Sequence, residues 1–178
     1  MVSADRTCEH QVVRGRGQER SAASVYAELA PAVLGYFRAQ RMHDPEALTG
    51  DVFVAVTEQL GRFRGDDDAL RRWVFTIAHH RRVDEIRRSG RRPEVLTDAP
   101  SSRPVHDAEP FDPALVAALE RLTPEQREVV VLRYLADLPL KAVAAITDRR
   151  VGAVKMLQAR GLAALAEALD TMSAQDRS

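Results

Sequence analysis

Two adjacent histidines and a run of arginines stand together in the stretch 73–92, WVFTIAHHRRVDEIRRSGRR. His79 and His80 could bind a metal or move protons, whereas arginines are well suited to binding phosphate. Only Asp84 and Glu85 offset the arginine charges within the stretch. The side-chain types leave three functions open: a metal or catalytic site, a solvated helix face, and a surface that binds nucleic acid.

A metal site in this stretch would use His80 and Asp84, which lie one helical turn apart. We recognise no third ligand in the sequence, and Arg87 and Arg88 on the same face would repel a cation. The acidic run 66–68 is better explained as the turn and N-terminal cap of a helix than as a metal cluster. We therefore expect no metal site.

Catalysis by His79 or His80 would need a positioned nucleophile or an acidic partner. The sequence contains no Gly-x-Ser-x-Gly motif, phosphate-binding loop or His-Glu-x-x-His motif. We expect no catalytic residue, no cofactor and no enzyme activity.

His80, Asp84, Arg87 and Arg88 share one face of the predicted helix, while Val74 and Ala78 point away from it as anchors. A solvated helix with an Asp84–Arg88 ion pair explains part of this face. It does not explain why the run of arginines continues through positions 91 and 92. Neutralisation of a nucleic-acid backbone does explain it.

Charge is segregated along the chain although the net charge is zero. Residues 61–93 contain ten arginines and five acids, whereas residues 94–113 contain five acids and one arginine. Segregation of this kind predicts different partners for the two segments.

Composition excludes several classes of protein. No apolar run approaches the roughly 20 residues of a membrane span, and the N-terminus lacks the apolar segment of a signal peptide. The single cysteine, Cys8, has no intrachain partner for a disulfide. We expect a cytoplasmic protein without membrane insertion.

Helical periodicity predicts an all-α fold of two small helical domains joined by a proline-rich acidic linker. Five of the nine prolines fall between Pro93 and Pro113, a segment that can neither hold a helix nor bury much apolar surface. The predicted division is a mobile tail at 1–22, an N-terminal unit at 23–93, the linker at 94–113, a C-terminal unit at 114–170 and a tail at 171–178.

The N-terminal unit has a clear helix start at Asp44-Pro45, a good N-cap followed by proline at the first helical position. One buried stripe is predicted on this helix. The stripe consists of Leu48, Val52, Ala55 and Val56. The loop GRFRGDDD then precedes the arginine-rich helix.

The C-terminal unit is predicted to begin with a helix near Pro113. Thr123 and Gln126 form a potential capping box for the next helix, which should stop near Asp137-Leu138-Pro139. The short helix LKAVAAI, the turn TDRR and a long helix from Val151 complete a helix-turn-helix pattern.

One arc of the long helix is apolar and the opposite arc combines small and cationic residues, as a helix in a major groove requires. The apolar arc contains Val151, Val154, Leu157, Gly161, Leu162, Ala164, Leu165, Ala168 and Leu169. The opposite arc contains Gly152, Lys155, Met156, Ala159 and Arg160. An ordinary helical hairpin with a solvated outer face remains an alternative at this point.

Two blocks of the sequence resemble a known family. LTGDVFVAVTEQLGRFRG with RRWVFTIAHHRRVDEIRR resembles the second conserved region of extracytoplasmic-function sigma factors, and LTPEQREVVVLRYLADLPLKAVAAITDRRVGAVK resembles their fourth. The resemblance implies a subunit that binds core RNA polymerase and promoter DNA. The −35 element would be bound as duplex and the −10 element as a melted strand.

The resemblance also implies the residues of each DNA site. The −35 candidates are Arg149, Arg150, Gly152, Ala153, Lys155, Met156, Ala159 and Arg160. The −10 candidates are Phe63, Arg64, Asp66, His80, Asp84, Arg87, Arg88 and Arg91. Family members often carry Asn at the position of His80. In the turn, Asp148 stands where Gly is usual; Asp tolerates the left-handed conformation, so we expect the turn to survive.

For core polymerase the resemblance implies docking of helix 45–60 on the β′ clamp helices and a further contact with the β flap. The polar candidates on the helix are Glu46, Asp51, Glu58 and Gln59, with Gly50 in place of a frequent glutamine. The acidic linker would thread the polymerase interior. An anti-sigma factor is a further candidate partner. The alternative function is a stand-alone helix-turn-helix regulator with an N-terminal dimerisation or sensor domain, and an enzyme is a distant third.

Overall fold

The computed structural model describes residues 20–90 and 112–175, and these two ranges contain seven α-helices and no β-strand. The helices are α1 (Ala22–Ala39), α2 (Pro45–Leu60), α3 (Asp67–Ser89), α4 (Pro113–Glu120), α5 (Pro124–Tyr134), α6 (Leu140–Ile146) and α7 (Val151–Gln175). Most of the predicted tails and linker lies outside the described residues. The long helix α7 continues to Gln175, past the predicted end of its unit at residue 170.

Each helix of the N-terminal unit begins at a side-chain cap. Ser21 accepts a hydrogen bond from the Ser24 amide at the start of α1. Asp44 caps α2 with Pro45 at its first position, as predicted, and Asp66 caps α3. These caps satisfy amides that a helix leaves without intrahelical partners, so they fix where each helix begins.

The core of the N-terminal unit is built from apolar side chains of all three helices. All four residues of the predicted α2 stripe are buried, and so are Val74 and Ala78 on α3. The largest fully buried side chains of this unit are Leu29, Val33, Tyr36, Phe37, Val52, Val56, Val74 and Phe75. Burial of Val74 and Ala78 leaves the opposite face of α3 to solvent.

The C-terminal unit follows the predicted helix-turn-helix pattern. Thr123 and Gln126 form the capping box at the start of α5. The helix ends at Tyr134, slightly before the predicted stop, and Asp137 then takes a left-handed conformation (φ 50°) ahead of α6. α7 packs closely on α5, because a Cβ added at Gly161 would lie 2.9 Å from Cγ2 of Val130.

The two units pack against each other in the structure. Helix α1 contacts α5 and α3 contacts α6, and one cluster of buried apolar side chains extends across both units. At the edge of this junction, Nε of Arg41 lies 3.8 Å from Oε1 of Glu120. The side of α3 that carries His79 and Arg82 therefore faces the C-terminal unit rather than solvent.

Candidate nucleic-acid interface

The first turns of α7 present every predicted −35 residue to solvent. All eight candidates are exposed: Arg149, Arg150, Gly152, Ala153, Lys155, Met156, Ala159 and Arg160. Val154 lies among them and is fully buried, so it anchors the helix to the unit. The predicted apolar arc is wrong at its first position, because Val151 is 37% exposed. Val151 is the first residue of the helix and lines an open cleft beside α6, so solvent reaches its side chain.

The turn before α7 is held by backbone and side-chain hydrogen bonds. Asp148 takes the left-handed conformation (φ 51°), as expected for a residue in place of glycine. The Thr147 hydroxyl donates to the Val143 carbonyl at 2.8 Å, and the Arg149 amide donates to the Ala144 carbonyl at 2.9 Å. The Arg149 side chain is left free to extend into solvent beside the positive end of α7.

The predicted face of α3 is exposed at His80, Asp84, Arg87 and Arg88. The predicted Asp84–Arg88 pair is wrong: Asp84 lies 3.9 Å from Arg87, and Arg88 pairs with Glu85 at 2.6 Å. Both pairs join residues three positions apart, a spacing that also brings side chains together on a helix. Exposed pairs of this kind contribute little, so both arginines can exchange a carboxylate for a phosphate. Arg91 lies outside the described residues.

The candidate −10 residues in the loop before α3 also make contacts that hold the loop in place. Phe63 is half-buried and stacks on Trp73, with ring centroids 5.1 Å apart and an interplanar angle of 21°. The Arg64 guanidinium donates to the carbonyls of Gly61 and Phe63. Asp66 accepts from the Ala69 amide at 2.8 Å, which is the helix cap that the acidic run predicted. Trp73 is therefore part of this loop's surface and was missed in the sequence.

The candidate polymerase residues on α2 do not all share one face. Asp51 and Glu58 are exposed on the same side, with the 60% exposed side chain of Val54 between them. Glu46 is half-buried and pairs with Arg38 at 2.8 Å. Gln59 is exposed but lies on another side of the helix.

The outer surface of α2 is open at Gly50, because a Cβ added there would have no other atom within 4 Å. Nearby, Tyr26 is 53% exposed and its ring meets that of Phe53 edge-on at 4.8 Å. The exposed side chains of Tyr26 and Val54 make the surface around α2 partly apolar. A partly apolar surface with acidic residues is typical of a protein-binding site.

A buried carboxylate at the junction of the units was also missed in the sequence. Oε1 of Glu128 lies 2.8 Å from Nδ1 of His79 and 3.1 Å from both the Tyr36 hydroxyl and NH1 of Arg82. We call these four residues the Glu128 cluster. Its members come from α1, α3 and α5, so the cluster forms only where the units meet.

The charge of Glu128 is stabilised in its buried position. Burial alone would raise the pKa of Glu128, but the hydrogen bond with His79, the charge of Arg82 and the hydrogen bond from Tyr36 together lower it. Burial and the neighbouring Glu128 charge raise the pKa of Tyr36 well above its usual value, so its hydroxyl stays protonated and can donate. Glu128 is therefore an ionised acceptor at neutral pH.

Within residues 20–90 and 112–175, no group of three or more His, Cys, Asp or Glu side chains is arranged to hold a metal ion. None of the helices in these ranges is both long and apolar enough to cross a membrane.

Comparison with known proteins identifies both units. Residues 25–92 match the family model described as Sigma-70 region 2, and residues 113–165 match the model described as Sigma-70, region 4. The ECF RNA polymerase sigma factor BldN of Streptomyces coelicolor is 30% identical over 75% of this chain and 54% of its own length. RpoE of Cereibacter sphaeroides is 27% identical over 82% of this chain and 84% of its own.

The chain belongs to the extracytoplasmic-function sigma factors. Sigma factors direct promoter-specific initiation of transcription, and as a member of the family this chain is a transcription initiation factor rather than a catalyst in the general sense. The alternative of a stand-alone helix-turn-helix regulator is therefore wrong, because residues 25–92 match sigma region 2 rather than a sensor or dimerisation domain.

The fold of this sigma factor is shared with a solved relative. RpoE of Bartonella quintana, solved in complex with the anti-sigma factor NepR, superposes with a TM-score of 0.64 at 21% identity. The match covers 83% of this chain and 96% of that one. The all-α prediction with a C-terminal helix-turn-helix is confirmed.

Proposed function

We propose that this sigma factor binds the −35 element as duplex through the first turns of α7 and the −10 element as a melted strand through α3 and the loop before it. The observation that supports the proposal most strongly is on α7. Seven exposed small or cationic residues and the exposed Met156 flank the buried anchor Val154, at the end of the helix-turn-helix turn and in the first turns of α7. A recognition helix has this arrangement where it enters the major groove.

At the −35 element the small residues determine how closely α7 approaches the bases. A Cβ added at Gly152 would have no other atom within 4 Å, and Ala153 and Ala159 add only methyl groups. Lys155 and Arg149 would neutralise phosphates beside the groove. Met156, which is 56% exposed, could make apolar contact with a thymine methyl group.

At the −10 element we assign base contact to His80 and backbone contact to the arginines. His80 is exposed, and its ring can both stack on a base and form hydrogen bonds. Arg87 and Arg88 lie about two turns further along the same face, where Asp84 is exposed and Glu85 is half-buried. Holding an unstacked base offsets the few kcal/mol that unstacking costs, which favours melting at a matching sequence.

The surface of α2 formed by Asp51, Val54 and Glu58 is our proposed site for the β′ clamp helices of core polymerase. Its acidic and apolar side chains are exposed together, and the neighbouring Tyr26 extends the apolar part. We also propose the contact with the β flap, and the threading of residues 94–113 through the polymerase, on the basis of family resemblance. The chain would then work in the cytoplasm, where polymerase acts.

An anti-sigma factor is a further proposed partner. The superposable RpoE of Bartonella quintana was solved with the anti-sigma factor NepR, and a second structure with the same fold, CnrH, was solved with the cytosolic domain of CnrY (TM-score 0.54). We extend this type of partner, without its identity, to the present chain. We also propose units at 23–93 and 114–170 as the working division.

The experiment that tests the proposal is reconstitution with bacterial core polymerase. The purified chain should co-elute with core enzyme in a one-to-one complex on gel filtration. Val54→Asp and Glu58→Lys should weaken this complex, because they alter the proposed α2 surface. Glu167→Lys, an exposed charge reversal near the far end of α7, is the matched control and should bind normally. A chain that binds promoter DNA but never binds core enzyme would contradict the proposal.

A further inference from the structure

The carboxylate of Glu128 is buried inside the junction, and every hydrogen-bond donor that the described residues offer to it belongs to the other unit. Glu128 lies on α5 of the C-terminal unit, whereas Tyr36 lies on α1 and both His79 and Arg82 lie on α3. The side chains of Glu128, Arg82 and His79 are only 8%, 11% and 14% exposed. The contact therefore stabilises the arrangement of the units rather than either unit alone.

Apolar side chains would be sufficient if this contact only filled the space between the units, whereas Glu128 is charged. Burial of an ion costs free energy that only well-placed partners offset, and a single carboxylate with three partners meets that condition. Separation of the units removes all three partners from Glu128 at once, so these hydrogen bonds exist only in the closed arrangement.

A second feature of the junction opposes closure. Arg72 on α3 faces a cleft that is also lined by Lys141 on α6 and Lys155 on α7, with Val151 at its edge. The residues that line this cleft include no carboxylate, so the three cations repel one another across it. Lys141 and Lys155 belong to the C-terminal unit and Arg72 to the N-terminal unit, so their repulsion across the cleft opposes closure.

We propose that the Glu128 cluster is an intramolecular latch that holds the free sigma factor closed, with the start of its recognition helix turned toward the N-terminal unit. Lys155 and Val151 lie in the first turns of α7, and in the closed arrangement they share their cleft with Arg72. A duplex whose major groove receives α7 needs the space beside these residues. The −35 candidates themselves stay exposed in the closed arrangement, so closure would hinder a duplex only through the space that the N-terminal unit takes up beside α7.

The latch lowers the fraction of chains that are in the open arrangement. A ligand that binds only the open chain binds with an affinity reduced by the fraction of chains that are open. Loss of one hydrogen bond to a charged group corresponds to about a tenfold or larger change in the closed-to-open ratio. Weakening the latch should therefore raise both the open fraction and the apparent affinity for DNA by about tenfold or more, until the open form predominates.

Fluorescence energy transfer in the full-length chain measures the arrangement without DNA or polymerase. Cys8 is the only cysteine of the sequence, and Cys8→Ser removes it. Two exposed alanines are then replaced by cysteine for labelling, Ala23 on α1 and Ala163 on α7, so that each unit carries one dye. Glu128→Gln keeps the shape of the side chain and removes its charge. Its transfer efficiency should fall relative to the parent, and Glu125→Gln, an exposed acid on the same helix, should leave it unchanged.

Arg82→Gln tests the latch from the other unit, with the exposed neighbour Arg81→Gln as its control. Transfer should fall for Arg82→Gln and not for Arg81→Gln. Circular dichroism measures the helix content of each variant. If Glu128→Gln has lost helix, Arg82→Gln provides the test, because it leaves the sequence of the C-terminal unit unaltered. Equal transfer efficiencies in the parent, Glu128→Gln and Arg82→Gln would contradict the proposal that the Glu128 cluster holds the units closed.

The consequence for DNA rests on the proposed function and is measured separately. Binding of a −35 duplex to the free chain should tighten in Glu128→Gln and Arg82→Gln to the same extent as their open fraction rises. If transfer falls while duplex affinity stays constant, the latch is supported, and the claim that closure hinders binding at α7 is wrong. If no variant binds a promoter duplex although transfer efficiency falls in Glu128→Gln and Arg82→Gln, the proposed function is contradicted and the latch is still supported.

Discussion

Oε1 of Glu128 lies 2.8 Å from Nδ1 of His79, although 49 positions separate the two residues and they belong to different units. The contact shows that one of the two adjacent histidines has a role in the junction, while the other, His80, is exposed toward solvent. Adjacent residues on a helix point about 100° apart, so one pair of histidines can contribute to two different surfaces.

Acid should weaken the closed arrangement through Glu128. The pKa of this carboxyl is lowered in the closed chain, so its contribution to closure is fully present above its ordinary value of 4.5 and is lost as the pH falls through the lowered pKa. The groups that face it are Tyr36 on α1 and His79 and Arg82 on α3. Energy transfer between the two dyes should fall as the pH drops below 4.5.

The control for this acid transition is Glu128→Gln, which has no carboxyl to protonate at this position. Its transfer efficiency should already be low and should change little in the same pH range. An acid transition of equal size and midpoint in Glu128→Gln would assign the effect to other groups.

Removal of cations from the start of α7 should weaken −35 binding and flatten its salt dependence. Arg149→Ala and Lys155→Ala each remove one proposed phosphate contact, and each contact contributes about 0.9 to the slope of log K against log salt concentration. Titration of a −35 duplex at several salt concentrations measures the slope. Arg121→Ala removes an exposed charge at the end of α4 and should leave the slope unchanged. An unaltered slope in Arg149→Ala and Lys155→Ala would exclude a backbone role for both residues.

His80→Ala should impair promoter melting more than duplex binding. Loss of one base-stacking partner corresponds to a reduction of roughly tenfold in open-complex formation. Permanganate reactivity of thymines in the −10 element reports the melted fraction, and a filter or gel assay reports total binding. His43→Ala, an exposed histidine before α2, serves as the matched variant and should melt DNA normally. Equal losses in melting and in duplex binding would refute strand capture by His80.

Arg127 should be a major determinant of the stability of the C-terminal unit. Its buried guanidinium donates to the carbonyls of Leu119, Glu120 and Leu122, which joins the end of α4 to α5. Arg127→Met leaves these carbonyls without their donor and should lower the free energy of unfolding by about 2–3 kcal/mol. Arg121→Met alters an exposed arginine nearby and should change it by less than about 0.5 kcal/mol. Urea denaturation followed by circular dichroism distinguishes the two variants. Equal unfolding midpoints for Arg127→Met and Arg121→Met would contradict this role for Arg127.

Local signals in the sequence predicted most of the fold. Asp44 with Pro45, the Thr123–Gln126 capping box and the apolar stripe of α2 act within a few residues, so they were visible in the sequence and are confirmed. The exposed face at the start of α7 was predictable for the same reason except at Val151, because helical periodicity sets which side of a helix faces the core. Asp148 in the left-handed turn is also a local feature.

Features that depend on tertiary contacts were not predictable. Glu128 precedes four apolar residues on α5, which signals a buried position, but no spacing in the sequence connects it with Tyr36 or Arg82. The stacking of Phe63 on Trp73 depends likewise on how a loop folds back over α3. The wrong ion pair at Asp84 has another cause: several carboxylates and arginines on one exposed helix can exchange partners at almost equal free energy.

Run-off transcription tests the central claim most directly. A promoter is first located by mapping 5′ transcript ends after overexpression of the chain, and its template is then transcribed by core polymerase with the purified chain. We predict a single promoter-specific transcript that depends on the chain and is reduced by Arg149→Ala with Lys155→Ala, but not by Arg121→Ala. If core polymerase produces the same transcripts with and without the chain, the assignment of promoter-specific initiation to this protein is contradicted.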